Sequence, residues 1–262
     1  MANTIDVKVH HPGGTIVMQR PEVGNALTPA MVTDLSQALE DLRQEKKVRY
    51  VILTGAGPHF CTGMDLAHLE SLQSPPSLES LHQVHEFWQQ LADLLIQMLR
   101  YPKPLIAAVD GGALGAGWGL ALSSDLIVAS EGARFASPAT RLGLVGAFVA
   151  PLLWFRCGGA IAARFLMTGQ DADAAWALEA HMVSKVVPAA QVWVAANQLG
   201  EITAAAPYEA LQMTKRLLNE TIGEWLTTQL VVAAGMGATS CSTEAAGEGM
   251  RAFLEKRPPL WP

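Results

Sequence analysis

The sequence predicts an α/β fold. Three observations carry this expectation: short, strongly apolar strand candidates recur up to about Gly158, glycine-rich turns follow them, and stretches at helical spacing fill the intervals. The opening run IDVKVHHPGGTIVMQRP sets two alternating segments on either side of Pro12-Gly13-Gly14, the pattern of a hairpin. From Thr28 the period changes. Met31, Leu35, Ala38, Leu39 and Leu42 recur at helical spacing, with Thr28 as N-cap and Pro29 at the first helical position. The apolar strand YVILTGAG follows, then a loop, then an amphipathic helix from about Leu78 to Leu99, stopped by Pro102 and Pro104. Strand LIAAVDG leads through glycines into a short helix from about Ala116 to Ser124, and two extended segments, DLIVAS and ARFASP, come next. Beyond Gly158 the chain is alanine-rich and mostly helical, ending in TEAAGEGMRAFLEKR before Pro258-Pro259.

Composition narrows the function classes. The 262 residues are 50% hydrophobic but only 16% charged, with 23 glycines, which excludes a disordered or collagen-like chain and suits a closely packed, dry interior. A net charge of −6 argues against nucleic acid or an anionic membrane as partner. Cys61, Cys157 and Cys241 lie far apart without CxxC spacing, so neither a zinc site nor a disulfide framework is expected. The N-terminus lacks a basic region followed by an apolar core, and the apolar run from Pro104 to Leu122 is broken by Asp110 and several glycines. These features read as a soluble cytoplasmic protein.

Familiar nucleotide and hydrolase signatures fail. Gly55-Ala-Gly57 follows a strand, but Phe60 takes the third glycine position of a dinucleotide fingerprint, and no P-loop, HExxH or GxSxG occurs. His82, His85 and Glu86 share a helical face at metal-ligand spacing, yet no further Cys or His cluster supports a metal. Two segments remain, Val51–Leu66 and Ile106–Leu120, each a strand that hands over to glycines. Such turns expose backbone N–H groups, and a helix start adds partial positive charge, so a pair of them is suited to hold a developing oxyanion.

Together with Arg20-Pro-Glu-Val-Gly-Asn-Ala-Leu27, Tyr101–Gly111, Ser124–Ala129 and Ala252–Pro258, these segments resemble the crotonase superfamily, the enoyl-CoA hydratase/isomerase family, over nearly the whole chain. The resemblance implies a spiral of ββα units, with residues 1–200 as core and 201–262 as a helical C-terminal trimerisation region. It implies a homotrimer or a dimer of trimers, and an acyl-CoA substrate whose coenzyme A is the only cofactor-like group. Carried over by position, the oxyanion donors are the backbone amides of Met64 and Ala116. Coenzyme A binding is expected at Ala26, Leu27, Asp65 and Leu66, and at Phe253 and Lys256 of a neighbouring subunit.

The chain departs from the family where hydratases keep their acids. The position three residues after the second donor is Gly119, the Pro-Glu dipeptide after the next strand is Pro138-Ala139, and the site of an aspartate in other branches is Ala147. Hydration needs positioned acid and base groups, each worth about 10²–10⁴ in rate. Isomerase or decarboxylase chemistry, or a relocated base, is therefore expected in place of efficient hydration, with a catalytically silent acyl-CoA-binding or assembly protein as the alternative. Candidates around the acyl group are Ser137, Thr140, Arg141, Trp118, Phe148 and Trp154, with Glu86 or His85 as the replacement base and His68 and His82 nearby. Asp65 is expected to fix its loop, and Asp125 and Glu131 to be structural.

Overall fold

A computed structural model describes residues 4–73 and 77–261. The predicted hairpin forms as β1 (Ile5–His10) and β2 (Gly13–Met18), followed by α1 (Pro29–Gln44). Thr28 caps α1 by accepting the Met31 N–H, and the apolar stripe anticipated from Met31 to Leu42 is the buried face. Next come β3 (Tyr50–Gly55), β4 (His59–Cys61), α2 (Leu66–Gln73) and α3 (Leu78–Arg100). The middle of the chain contributes β5 (Leu105–Val109), β6 (Gly112–Leu114), α4 (Ala116–Ser123), β7 (Leu126–Ser130) and β8 (Arg134–Ala136). After a 3-10 turn at Pro138–Leu142 follow α5 (Val149–Cys157), α6 (Gly159–Thr168), β9 (Asp171–Asp173), α7 (Ala174–Glu179) and β10 (Lys185–Val187). The C-terminal part is helical: α8 (Val192–Ala204), α9 (Tyr208–Arg216), a π-helical turn at Leu217–Ile222, α10 (Glu224–Cys241) and α11 (Glu244–Leu254).

Consecutive strands split between two sheets. One is six-stranded, in the order β1-β2-β3-β5-β7-β10, and the other four-stranded, β4-β6-β8-β9. The pairs β3/β4, β5/β6 and β7/β8 each send their first strand to the large sheet and their second to the small one, and helices then return the chain. Because β3, β5 and β7 pair in parallel, each pass repeats the last one step along, which is a ββα spiral. Several short elements lie outside the sequence expectation, among them β4 in the expected loop, β6 in the expected glycine turn and α5 before Gly158. Helix α2 falls in the expected loop because it fully buries only Leu69 and so carries little periodic signal. Strands β9 and β10 have three residues each, too few for an alternation to register.

Both faces of the large sheet are covered, which explains the unbroken apolar runs of β3 and β5. One face packs into the main core with α1 and α3, the other against Val192, Ala195 and Ala196 of α8. Helix α3 lays Phe87, Trp88, Leu91 and Leu95 onto that core, and α10 answers from the opposite side with Leu226, Leu230 and Ala234. No helix among the described residues is long and apolar enough to cross a membrane.

The expected structural role of Asp125 is met at the edge of the sheet. Its carboxylate accepts the Leu105 N–H at 2.7 Å and the Lys215 ammonium at 2.7 Å, while Lys215 also donates to the carbonyls of Met98 and Lys103. One ion pair thus ties α9 to the end of α3 and the start of β5. Burial pushes the Lys215 ammonium pKa down, and Asp125 opposes that shift. Asp125→Ala would leave a buried ammonium without its counter-charge. The expected loss is about 3 kcal/mol of folding stability, read as a lowered urea midpoint; an unchanged midpoint would remove the pair from the account of stability.

Candidate active site

The site grows from two strand-end turns that meet. At the first, Asn25 adopts a left-handed conformation (φ 56°) and is fully buried. Its side-chain oxygen accepts the Arg20 N–H, and its amide nitrogen donates to the carbonyls of Ala56, His59 and Phe60. The Asn25 side chain is therefore a clamp that fastens the turn after β2 to the turn after β3. Beyond it Leu27 pairs with Met64 in a parallel bridge: the Leu27 N–H donates to Gly63 O and the Asp65 N–H to Leu27 O. This pairing uses groups on either side of Met64 and leaves the Met64 N–H out of the ladder.

The second turn lies between β6 and α4. Gly115, at φ 50° and ψ −123°, precedes the helix, so the Ala116 N–H is a first-turn amide without an intrahelical acceptor. The two turns touch. A β-carbon added at Gly63, itself at φ 99°, would fall 2.9 Å from Leu114 O and 3.3 Å from the Ala116 nitrogen, and one at Gly117 only 2.1 Å from Cys61 O. Glycine at 63 and 117 is the condition for bringing the two amides to one edge.

Met64 and Ala116 line a cavity of about 430 Å³. Its wall is largely apolar, from Val23, Ala26 and Leu66 on one side to Leu144, Ala147 and Phe148 on the other. Among the described wall residues the polar side chains are Thr62, Asp65, Trp88 and Ser137. Thr62 donates to Val23 O. Asp65 accepts from Arg20 at 3.0 Å and from the His68 N–H, so it fixes its loop and starts α2, as the sequence suggested. Trp88 stacks on Phe148, with ring centroids 5.0 Å apart. Cys61, behind the first turn, is buried with its thiol pushed up to about 12 by desolvation, which leaves it protonated and inert at neutral pH.

The structure separates the remaining expectations. Ala26, Met64, Asp65, Leu66, Ala116, Ser137, Phe148 and Phe253 border the cavity. Leu27 does not; its side chain is in the core, and only its backbone serves the site. Phe253 borders the cavity of its own chain, where α11 folds back against α2 and the Pro138–Leu142 turn. Lys256 is exposed and outside the wall.

The replacement bases are also corrected. His85 and Glu86 lie on the exposed face of α3, opposite its buried stripe, and neither borders the cavity. His82 is exposed beside them, and no group of three or more metal-ligating side chains exists among the described residues. His68 packs edge-on against Phe87 outside the wall. Trp118 is fully buried against Phe135 and Phe165, and Trp154 is half exposed against Trp225. Thr140 and Arg141 spend their side chains on the carbonyls of Leu166 and Thr168. Sequence reasoning missed Arg20, whose partner is 45 residues away, and the wall segment Leu142–Gly146, which has no periodicity to mark it.

The two-sheet ββα spiral places the chain among crotonase-fold proteins. An enoyl-CoA hydratase from Mycobacterium avium subsp. paratuberculosis superposes with a TM-score of 0.87 over 99% of both chains at 24% identity, a likeness of fold alone. An enoyl-CoA hydratase/isomerase from Mycobacterium paratuberculosis gives 0.83 at 27% identity, over 96% of this chain and 98% of its own. The sequence makes the family definite: residues 14–262 match the enoyl-CoA hydratase/isomerase family, and the chain belongs to it. It is 31% identical over 249 residues, 94% of this chain and 93% of the relative, to the 1,2-epoxyphenylacetyl-CoA isomerase of Escherichia coli K12. A Thermus thermophilus protein carrying an enoyl-CoA hydratase name is 36% identical over 93% of this chain and 95% of its own length.

The contact between the turns can be tested directly. Gly117→Ala must push a methyl group into Cys61 O and is expected to cost about 2 kcal/mol or more, whereas Gly235→Ala in α10 meets nothing within 4 Å and should be neutral or stabilising. Equal thermal midpoints for the two variants would refute the close contact.

Proposed function

We propose that the chain is an acyl-CoA enzyme that polarises the thioester carbonyl with the amides of Met64 and Ala116 and carries enolate chemistry, not efficient hydration. One observation carries this reading: two amides outside the backbone pairing border a chamber whose wall offers no uncommitted carboxylate among the described residues. A preorganised donor of this kind is worth about 3 kcal/mol of transition-state stabilisation. The positions where related hydratases, and for Ala147 other branches of the family, carry acids hold no acid here. Ala139 and Ala147 are wall residues without a titratable group, and a β-carbon at Gly119 would meet Phe148 Cβ at 3.3 Å.

Double-bond isomerisation and decarboxylation both pass through a thioester enolate. Loss of carbon dioxide asks less of this wall, because the breaking C–C bond itself supplies the electron pair, no base is required, and the enolate left behind takes its α-proton from solvent water. The Ala26 and Asp65–Leu66 segments face the thioester end of the chamber, Phe253 offers an apolar surface at its rim, and Lys256 a charge for phosphate. The uncovered apolar side chains Trp225, Val231, Val232 and Met236 along α10 support a homotrimer or a dimer of trimers.

Turnover of crotonyl-CoA, a β,γ-enoyl-CoA and a malonyl-type thioester tests the reading. Hydration of crotonyl-CoA is expected at kcat below about 0.1 s⁻¹, against an ordinary enzymatic value of about 10 s⁻¹. Hydration at that ordinary rate would sink the proposal, and saturable binding without turnover of any of the three would replace the enzyme by a binding protein. Ala139→Glu restores a carboxylate to the wall and is expected to raise crotonyl-CoA hydration by about 10²-fold.

A further inference from the structure

Among its described residues the wall of the chamber carries one ionisable side chain, and its charge has the sign that an enolate disfavours. That side chain is Asp65, the residue after the Met64 amide. Consecutive Cα atoms lie about 3.8 Å apart, so a carboxylate at 65 sits within roughly 8 Å of an oxygen held at the Met64 N–H. At that range and an effective dielectric of about 20, an unneutralised carboxylate would slow formation of an oxyanion by about 30-fold. The frame does not require a charge there. Asp65 immediately precedes α2 and accepts the His68 N–H at 3.2 Å, a helix-capping bond that asparagine, serine or threonine would make as well.

Arg20 answers that charge. Its Nη2 donates to the other Asp65 carboxylate oxygen at 3.0 Å and its Nη1 to Ala26 O, so one guanidinium joins two wall residues from different turns without entering the wall itself. The two side chains are 22% and 15% exposed, so water screens the pair weakly. The Arg20 main chain is fixed too: its N–H donates to Asn25 Oδ1, and its carbonyl accepts the Asn25 N–H at 2.8 Å. The cation is thus built into the Asn25 clamp.

On the reading that the Met64 amide polarises a thioester, we infer that Arg20 is a positioning residue for that chemistry, acting through Asp65. Its guanidinium cancels the carboxylate charge beside the carbonyl site, so the amide dipoles act on the thioester oxygen unopposed. A neutralising cation and a plain structural tie differ in what they predict. If the bond only tied the loop, Arg20→Gln and Asp65→Asn would break the same bond and do equal harm. If the charge matters, the two substitutions act in opposite directions, and the second rescues the first.

The infrared carbonyl stretch of bound butyryl-CoA, isotope-labelled at the thioester carbonyl carbon, reads this without turnover, because hydrogen bonds that polarise the carbonyl lower its frequency. The wild type is expected to lower the stretch below that of the free thioester in water. Arg20→Gln should lose about half of that lowering or more, Asp65→Asn should deepen it, and the double variant should return to within about a fifth of the wild-type value. Arg20→Lys keeps the charge without the fork and should keep most of the lowering; with Asp65→Asn it carries the test where Arg20→Gln does not fold. Equal losses in Arg20→Gln and Asp65→Asn, no loss in Arg20→Gln, or losses in both Arg20→Lys and Asp65→Asn overturn the inference and leave the oxyanion reading standing. A wild type that binds butyryl-CoA without lowering its stretch, or does not bind it, overturns the oxyanion reading itself and the role of Arg20 with it.

Discussion

The close contact between the end of β4 and the start of α4 is the constraint on which the rest depends. Gly117 lies under Cys61 O, and Gly63 lies against Leu114 O and the Ala116 nitrogen, so two backbones approach more closely than any side chain permits. The contact spans the spiral's repeat, because β4 belongs to one ββα pass and α4 to the next. It sets the spacing of the passes and, in the same step, brings the Gly63–Met64 turn against the Gly115–Ala116 turn. Fold and site share a cause here. The parallel bridge between Leu27 and Met64, the Asn25 clamp and the Arg20–Asp65 pair then hold the first turn from behind, and none of them consumes the Met64 N–H.

Charge in the interior follows the same division of labour. The buried ionic groups bind the frame: Lys215 with Asp125 at the sheet edge, Lys103 on the carbonyls of Leu42 and Glu45, and Arg156 on those of Leu122 and Ser124. Burial lowers the pKa of all three cations, yet each has fixed oxygen acceptors that keep the charged form in place. The chamber itself receives none of them. An apolar wall strengthens whatever electrostatic interaction does occur there, because the local dielectric is low and no buried cation competes.

Much of this was legible in the sequence because it rests on local signals. Thr28-Pro29 at the start of α1, the alternation around Pro12-Gly13-Gly14 and the long stripe of α3 each report a strong period or cap. The glycines of the two turns were legible as motifs through resemblance, although glycine-rich turns before helices are common in ordinary packing. What escaped depends on contacts distant in sequence. His85 and Glu86 fall off the apolar stripe of α3, which the sequence shows; what it did not show is that the cavity lies on the stripe's side, beside Trp88, because the opposing wall comes from segments distant in sequence. The fold of α11 onto its own chain is likewise a tertiary outcome, and no pattern within Phe253–Lys256 distinguishes a chain's own chamber from a neighbour's.

The positions without acids are not equivalent, and the difference bears on chemistry. Ala139 and Ala147 border the chamber, so a longer side chain at either would enter it. Gly119 is different: a β-carbon there would meet Phe148 Cβ at 3.3 Å, so even the first carbon of a side chain requires Phe148 to shift. The wall positions 139 and 147 thus differ from 119 in what a substitution would meet: Ala139 and Ala147 leave the lining small and apolar, whereas Gly119 is already in contact with Phe148.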